Sequence, residues 1–392
     1  MNPESNRKRF MNVLQGEIAV LTAHELMQQA ADMAAPFLQE GNFFWLTGLN
    51  EAGWRLIIDA STGKEMLVAP TRSETSSLFD GGMDEQSIRR TSGIDMIISF
   101  DEFEATLRQL AKRHTVARTV HDTYSYEFVT NPAQKDLRAT LERIFTSVEL
   151  CNRELSELRA IKQPAELRAI QDAINLTISG FEMVRLALPV AKYEYELEAE
   201  FSYLFTKSGS GHAYAPIVAA GANACTLHYG TNDSKLKSRE LVLMDIGARV
   251  NGYAADITRT ICKGEPTKRQ QLIHRAVEAV HHEIIGLLEP MLSVESYQHS
   301  VDEIMREALR SIDLPDSEEA LRRYFPHAIS HGLGVDVHDS LGRPKYFQEN
   351  MVLTVEPGIY IPEEGIGVRI EDDILITKTG HRNLSAALST SL

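Results

Sequence analysis

Along the first 150 residues the apolar positions follow two rhythms. Leu21 to Gln39 and Phe103 to Arg113 carry apolar residues at helical intervals, which predicts two helices. Phe43-Phe44-Trp45-Leu46, Trp54 to Ile58, Lys64 to Pro70 and Met96 to Phe100 are short apolar runs that predict strands, the first two separated by a turn-prone segment from Gly48 to Gly53. Trp45 and Trp54 read as core or interface residues rather than substrate contacts, and no catalytic constellation falls in this α/β stretch. A boundary near residues 150–165 divides the chain into 1–155 and 156–392. Leu155 to Lys162 is helix-like, and Pro164 restarts a helix in a position where proline is tolerated. The helical period continues to Leu188 and again from Tyr195 to Ser208. Val242 to Ile261 switches to strand character. Arg269 to Leu288 predicts an amphipathic helix with Leu272, Ile273, Ala276, Val277, Val280, Ile284 and Leu287 inward, and with His274, His281 and His282 on the solvated side. Val301 to Ile312 is another helix, and strands with tight turns follow from His327.

A length of 392 residues exceeds one ordinary core and fits two domains. A hydrophobic share of 43% and a charged share of 24% are those of a soluble globular protein. The net charge of −15 argues against nucleic-acid or anionic-membrane partners. Three cysteines without metal-type spacing (Cys151, Cys225, Cys262) suggest reduced thiols, and no signal-peptide core or membrane-length apolar run is present, so a cytoplasmic location is expected.

The informative acids lie where the strands are most apolar. Asp245 and Asp256 sit on Leu241 to Gly247 and Tyr253 to Ile261, two strands joined by Asn251-Gly252, a strong hairpin signal. With that turn, positions summing to 503 face one another. Asp256 then opposes Gly247, which would leave room for ions, and Asp245 is a same-face diagonal neighbour with Cα roughly 7–8 Å away. Glu356 ends the apolar run Met351 to Val355. Alternation in Gly367 to Asp373 places Arg369, Glu371 and Asp373 on one face. His331 opens the glycine-punctuated turn His331-Gly332-Leu333-Gly334. Buried carboxylates without partners are expensive, and four of them with one imidazole share a pocket only if positive charge holds them there. Two divalent cations would balance the charge, so the pattern predicts a dinuclear metallohydrolase. An oxygen-rich set with a single imidazole suits manganese, with cobalt, iron or zinc as other candidates. His228, His327 and His338 accompany the donors, and beside a metal centre they could steady a tetrahedral intermediate. His212 and His381 read as structural.

These residues, in this order, resemble the pita-bread metallopeptidases and, within them, the proline-specific branch. The match runs from about Ile161 to Leu384 through Ile-Lys-Gln-Pro-Ala-Glu (161–166), Glu-Tyr-Glu-Leu-Glu-Ala-Glu (194–200), Leu-His-Tyr (227–229), the Asp245 to Thr260 hairpin, the His327–His338 cluster, Glu-Pro-Gly-Ile-Tyr (356–360) and residues 365–373. The first 150 residues are similar to a creatinase-like N-terminal domain. The resemblance implies an α+β catalytic half in which helices back a curved antiparallel sheet. It implies that Asp256 and Glu371 bridge two metals, Asp245 binds one, and His331 and Glu356 bind the other. Glu356 would also be general base on a bridging water. His228 and His338 would contact substrate, His327 would line the pocket, and Tyr360 and Arg369 would support the carboxylates. Expected substrates are peptides with proline second, and pairing of N-terminal domains into a homodimer or homotetramer is expected.

Within that branch, the compact Tyr360-to-Arg369 connection and the Asn-Leu-Ser-Ala ending (383–386) resemble aminopeptidase P more than eukaryotic prolidases. An Xaa-Pro dipeptidase must also capture a free carboxylate, and Arg343 is the candidate for that role. The long N-terminal part disfavours a methionine aminopeptidase. The five intact donors disfavour a creatinase-type hydrolase and a non-catalytic peptide-binding module.

Overall fold

A computed structural model describes residues 2–121 and 129–392, which form two compact units, one up to Leu158 and one from Arg159 onward. The first is built on a mixed sheet of six strands in the order Ile97–Ser99, Lys64–Ala69, Arg55–Asp59, Ile18–Thr22, Val116–Thr119, Ser147–Leu150. Helices Phe100–Leu110 and Pro132–Ile144 bury Phe103, Leu107, Leu137 and Leu141 against Ile18, Val20 and Ile57 of that sheet.

Two expectations for this unit are corrected. Leu21 to Gln39 is not a helix: it begins inside the buried strand Ile18–Thr22 and continues into the exposed strand pair Gln28–Ala30 and Met33–Ala34. Phe43 to Leu46 is not a strand but the middle of helix Gly41–Thr47. The Glu40 carboxylate accepts the Phe43 N–H to cap that helix, and Gly48, at φ 72°, ends it. Both tryptophans are buried, as expected.

The second unit repeats one plan, a helix pair followed by strands. Pro164–Ala187 and Glu194–Lys207 precede the antiparallel trio Ile217–Ala220, Glu240–Ile246 and Ile257–Lys263. Lys268–Leu287 and Val294–Ser311 precede Val352–Val355, Asp372–Thr377 and Gly380–Asn383, with Gly358–Ile361 and Ile366–Arg369 as a separate pair. The N–H of Glu371 donates to the Thr258 carbonyl at 3.0 Å, so strands of the two halves meet at their centre. This is an α+β architecture whose helices cover sheet faces.

The stripe on helix Lys268–Leu287 is rotated from expectation. Its buried residues are Ile273, His274, Val277, Val280, His281, Ile284 and Ile285, while Leu272 is exposed. His274 and His281 are therefore core residues, and only His282 faces water. Burial lowers the pKa of both, to about 4 for His281, whose Nε2 lies 3.4 Å from Asp372. Asp372 also receives Arg259, whose guanidinium donates to the carbonyls of Thr258, Glu371, Leu388 and Ser389 as well. Among the described residues no helix is long and apolar enough to cross a membrane.

Candidate metal centre

The hairpin has the predicted register. Asp245 pairs with Thr258, Ile246 with Ile257, and Val250 with Tyr253 across Asn251 (φ 51°) and Gly252 (φ 82°), both left-handed as a tight hairpin turn requires. Asp245 and Asp256 turn to a common side, where the Tyr214 hydroxyl is 2.5 Å from one and 2.6 Å from the other.

The reason for Gly247 differs from expectation. A Cβ there would lie 1.9 Å from the Ala255 carbonyl oxygen and 2.7 Å from the Tyr214 ring, so glycine admits backbone and phenol rather than ions. Gly247→Ala should therefore destabilise by about 2–3 kcal/mol and lower Tm by roughly 2–4 °C, read by calorimetry.

The other donors converge on the same point. His331 Nε2 is 3.4 Å from Asp256 and 3.5 Å from Glu356, and one potential ligand atom each from Asp256, His331 and Glu371 lie within 4.8 Å of one another. His331 Nδ1 donates to the Gly332 carbonyl at 3.0 Å, which turns Nε2 toward the carboxylates, the usual orientation of a ligating histidine. Thr258 donates to Glu371 at 2.6 Å. Arg369 is the buried counter-ion: it is 2.5 Å from Asp245, donates to the Tyr360 hydroxyl at 2.8 Å and to Thr258 at 3.1 Å, and lies 3.9 Å from Glu371.

Around this core, Tyr360 meets His327 Nε2 at 2.9 Å, while His327 Nδ1 donates to the Ala328 carbonyl and lies 3.5 Å from Glu356. Burial drives the His327 pKa down to about 4, leaving a neutral ring that accepts from Tyr360. The His338 ring packs on His331 with centroids 4.4 Å apart. His228 and His338 line a cavity of about 390 Å³ with Tyr214, Ile217, Val337, Asp245 and Asp256. All the expected site residues but one therefore gather here. Arg343 is exposed at φ 52° and is not among the residues lining the cavity.

Two contributors were missed in the sequence. Tyr214, which spans the two aspartates, lies in a segment with neither charge nor periodicity. Glu194, fully buried, accepts from the backbone N–H groups of Ala220 and Ser234, from Asn223 and from Tyr229, and so ties down the segment that carries His228. It had a signal, since it opens the acidic run 194–200.

The electrostatics ask for added positive charge. Burial first, then the neighbouring carboxylates, holds Glu371 well above the usual carboxylate range; burial also raises Asp245, and raises Glu356 to about 7. Burial opposes charge on His331, but its hydrogen bond to Asp256 and the charges of Asp256 and Glu356 outweigh that and raise it to about 9. Four carboxylates against one guanidinium, with protons held to compensate, is a donor set that fits divalent cations. Protons bound more tightly by the folded state stabilise it below the unfolded pKa values, and that stability is lost as pH rises through about 7 for Glu356 and about 9 for His331. The Tm of chelator-treated protein should thus fall between pH 6 and 9. Loading with manganese at pH 7.5 should release roughly two protons, measured by calorimetry in buffers of different ionisation enthalpy.

Residues 168–378 match the pattern of metallopeptidase family M24, and residues 4–121 that of the aminopeptidase P N-terminal domain. The Xaa-Pro aminopeptidase of Escherichia coli K12 is 31% identical over 402 residues, covering 95% of this chain and 91% of its own. Two solved structures of E. coli aminopeptidase P, one with the inhibitor Pro-Leu and one zinc-substituted with product, each superpose with a TM-score of 0.88 at 28% identity, covering 100% of this chain and 96% of theirs. Paired helices behind antiparallel strands, five converging donors and a match over more than half its length together place the chain in metallopeptidase family M24, with that family's pita-bread catalytic half following an aminopeptidase P-type N-terminal domain.

Proposed function

We propose that the protein is an Xaa-Pro aminopeptidase that releases the first residue of peptides with proline second, using two divalent cations, most readily manganese. The observation that carries this reading is the convergence of Asp245, Asp256, His331, Glu356 and Glu371 beside a histidine-lined cavity, in a chain whose relatives bear that name. Asp245, Asp256, His331, Glu356 and Glu371 are the residues that would hold the ions. Divalent cations bound there acidify water and polarise the scissile carbonyl. Glu356 takes the proton of the attacking water and passes it toward the leaving proline nitrogen. His228 and His338 stabilise the tetrahedral intermediate from the cavity wall, His327 bounds it, and Arg369 with Tyr360 holds Asp245 in place. An Xaa-Pro bond has no N–H, so recognition rests on the shape of the ring's pocket rather than on that donor.

The dipeptidase alternative needs a cation at the cavity for the product-side carboxylate, and the exposed Arg343 does not supply one there. Turnover of Xaa-Pro-Xaa against Xaa-Pro in manganese tests the reading. Cleavage of the tripeptide is expected, and hydrolysis of the dipeptide alone would overturn it. Three free cysteines support a cytoplasmic location. The exposed Leu26, Met27, Met33 and Leu38 around the strand pair of the first unit support assembly as a homodimer or homotetramer, checked by light scattering.

A further inference from the structure

The run Ile161 to Glu166 precedes any donor by some eighty residues, yet its lysine is buried. The Lys162 side chain is 1% exposed, its ammonium 2.7 Å from the Arg159 carbonyl and 3.3 Å from Asp339 Oδ2. Arg159 completes the cluster, 3.0 Å from Asp339 Oδ1 and 2.5 Å from Asp336. Asp339 immediately follows His338, and Asp336 precedes it by two residues, so the two cations bracket the histidine; neither lines the cavity, although Asp336 does.

The loop they grip is otherwise tight. Gly332 pairs with both Asp339 and Leu353, the Gly334 carbonyl accepts from Ala254, and the Val335 carbonyl accepts from Arg249. A Cβ on Gly334 would lie 2.1 Å from Asp339 Oδ2 and 3.1 Å from the Lys162 stem, so this second glycine of the His331–Gly334 turn admits the ion pair. Beneath it, Gln163 and Glu166 cap helix Pro164–Ala187 reciprocally, and Glu166 accepts the Tyr253 hydroxyl at 2.9 Å. The lysine is therefore carried by a rigid helix start. Stripping water from an ammonium and a carboxylate opposes most of their attraction, so such a pair contributes more to conformational definition than to net stability.

We propose that Lys162, with Arg159, is a positioning residue for His338: the buried Lys162–Asp339 contact sets where the imidazole stands over the reacting carbonyl. The inference rests on the peptidase reading, because His338 matters only if it meets the substrate there. Small displacements of a transition-state contact are costly in rate even when made from a distance.

The test is a kinetic cycle on manganese-loaded full-length protein with an Xaa-Pro-Xaa tripeptide. Lys162→Met keeps the stem and removes the charge. It should lower kcat about 10- to 100-fold while leaving KM and calorimetric manganese affinity near those of the parent. In a His338→Ala background the same substitution should have no further effect on kcat, because its influence runs through that imidazole. A general packing defect would instead multiply with His338→Ala and weaken manganese binding, which overturns the proposal, as would a Lys162→Met protein with parental kcat. Asp339→Asn, close in shape, gives the same cycle from the other side of the contact if Lys162→Met does not fold. A parent protein that leaves Xaa-Pro-Xaa intact would defeat the peptidase reading along with this one, whereas an active parent indifferent to Lys162→Met defeats only this one.

Discussion

Glu356→Gln is expected to lower kcat for an Xaa-Pro-Xaa tripeptide at saturating manganese by about 10³-fold, equivalent to about 4 kcal/mol of transition-state stabilisation. Glu356 stands just past strand Val352–Val355, where Pro357 ends pairing and the carboxylate turns toward His331. In the metal-free protein burial raises its pKa to about 7, and bound cations would lower it, leaving an ionised carboxylate able to take the proton of water. Glutamine keeps the size and one donor oxygen but cannot carry the proton. Steady-state kinetics decide the matter: a kcat within tenfold of the parent would remove Glu356 from the role of base and leave it as a ligand alone.

Arg369→Met is expected to be the most damaging single change to the stability of the metal-free protein. The guanidinium donates to Asp245, Tyr360 and Thr258 through its three nitrogens and lies near Glu371. Removing one partner of a buried pair costs about 3–5 kcal/mol, which in a protein of this size lowers Tm by roughly 4–6 °C. The loss should shrink when manganese is bound, because cations then supply the missing charge. Arg369→Lys should recover only part of it, since an ammonium cannot fork between Asp245 and Tyr360. Calorimetry with and without manganese tests this. Equal losses in both states would mean that Arg369 does not share the work of charge balance with metal.

The donors could be read from the sequence because burying an acid is costly: Asp245 and Glu356 interrupt runs that would otherwise be wholly apolar. The register was readable as well, since Asn251-Gly252 permits only a tight hairpin turn and the side-chain period of two does the rest. What could not be read depends on tertiary neighbours. Tyr214 becomes informative only once strand pairing brings Asp245 and Asp256 beneath its hydroxyl. The histidines of helix Lys268–Leu287 lay on a stripe rotated by roughly 70° from the one that periodicity favoured, because leucine at 272 outweighed the site that His281 shares with Asp372. Phe43 to Leu46 looked like a strand because aromatic residues favour strands, while the deciding signals, Glu40 and Gly48, stood at the ends of the run. Leu21 to Gln39 mixed a buried strand with exposed apolar residues, and their sum imitated a helical period.

Arg259 gives the last few residues an importance that their distance from the chemistry conceals. Two of its five acceptors are the carbonyls of Leu388 and Ser389, and another is the backbone of Glu371 itself. Proteolytic trimming before Leu388 would strand donors of a buried guanidinium directly behind that glutamate. An affinity tag fused close to this tail would pull on the same anchor, so a purification handle belongs at the opposite terminus.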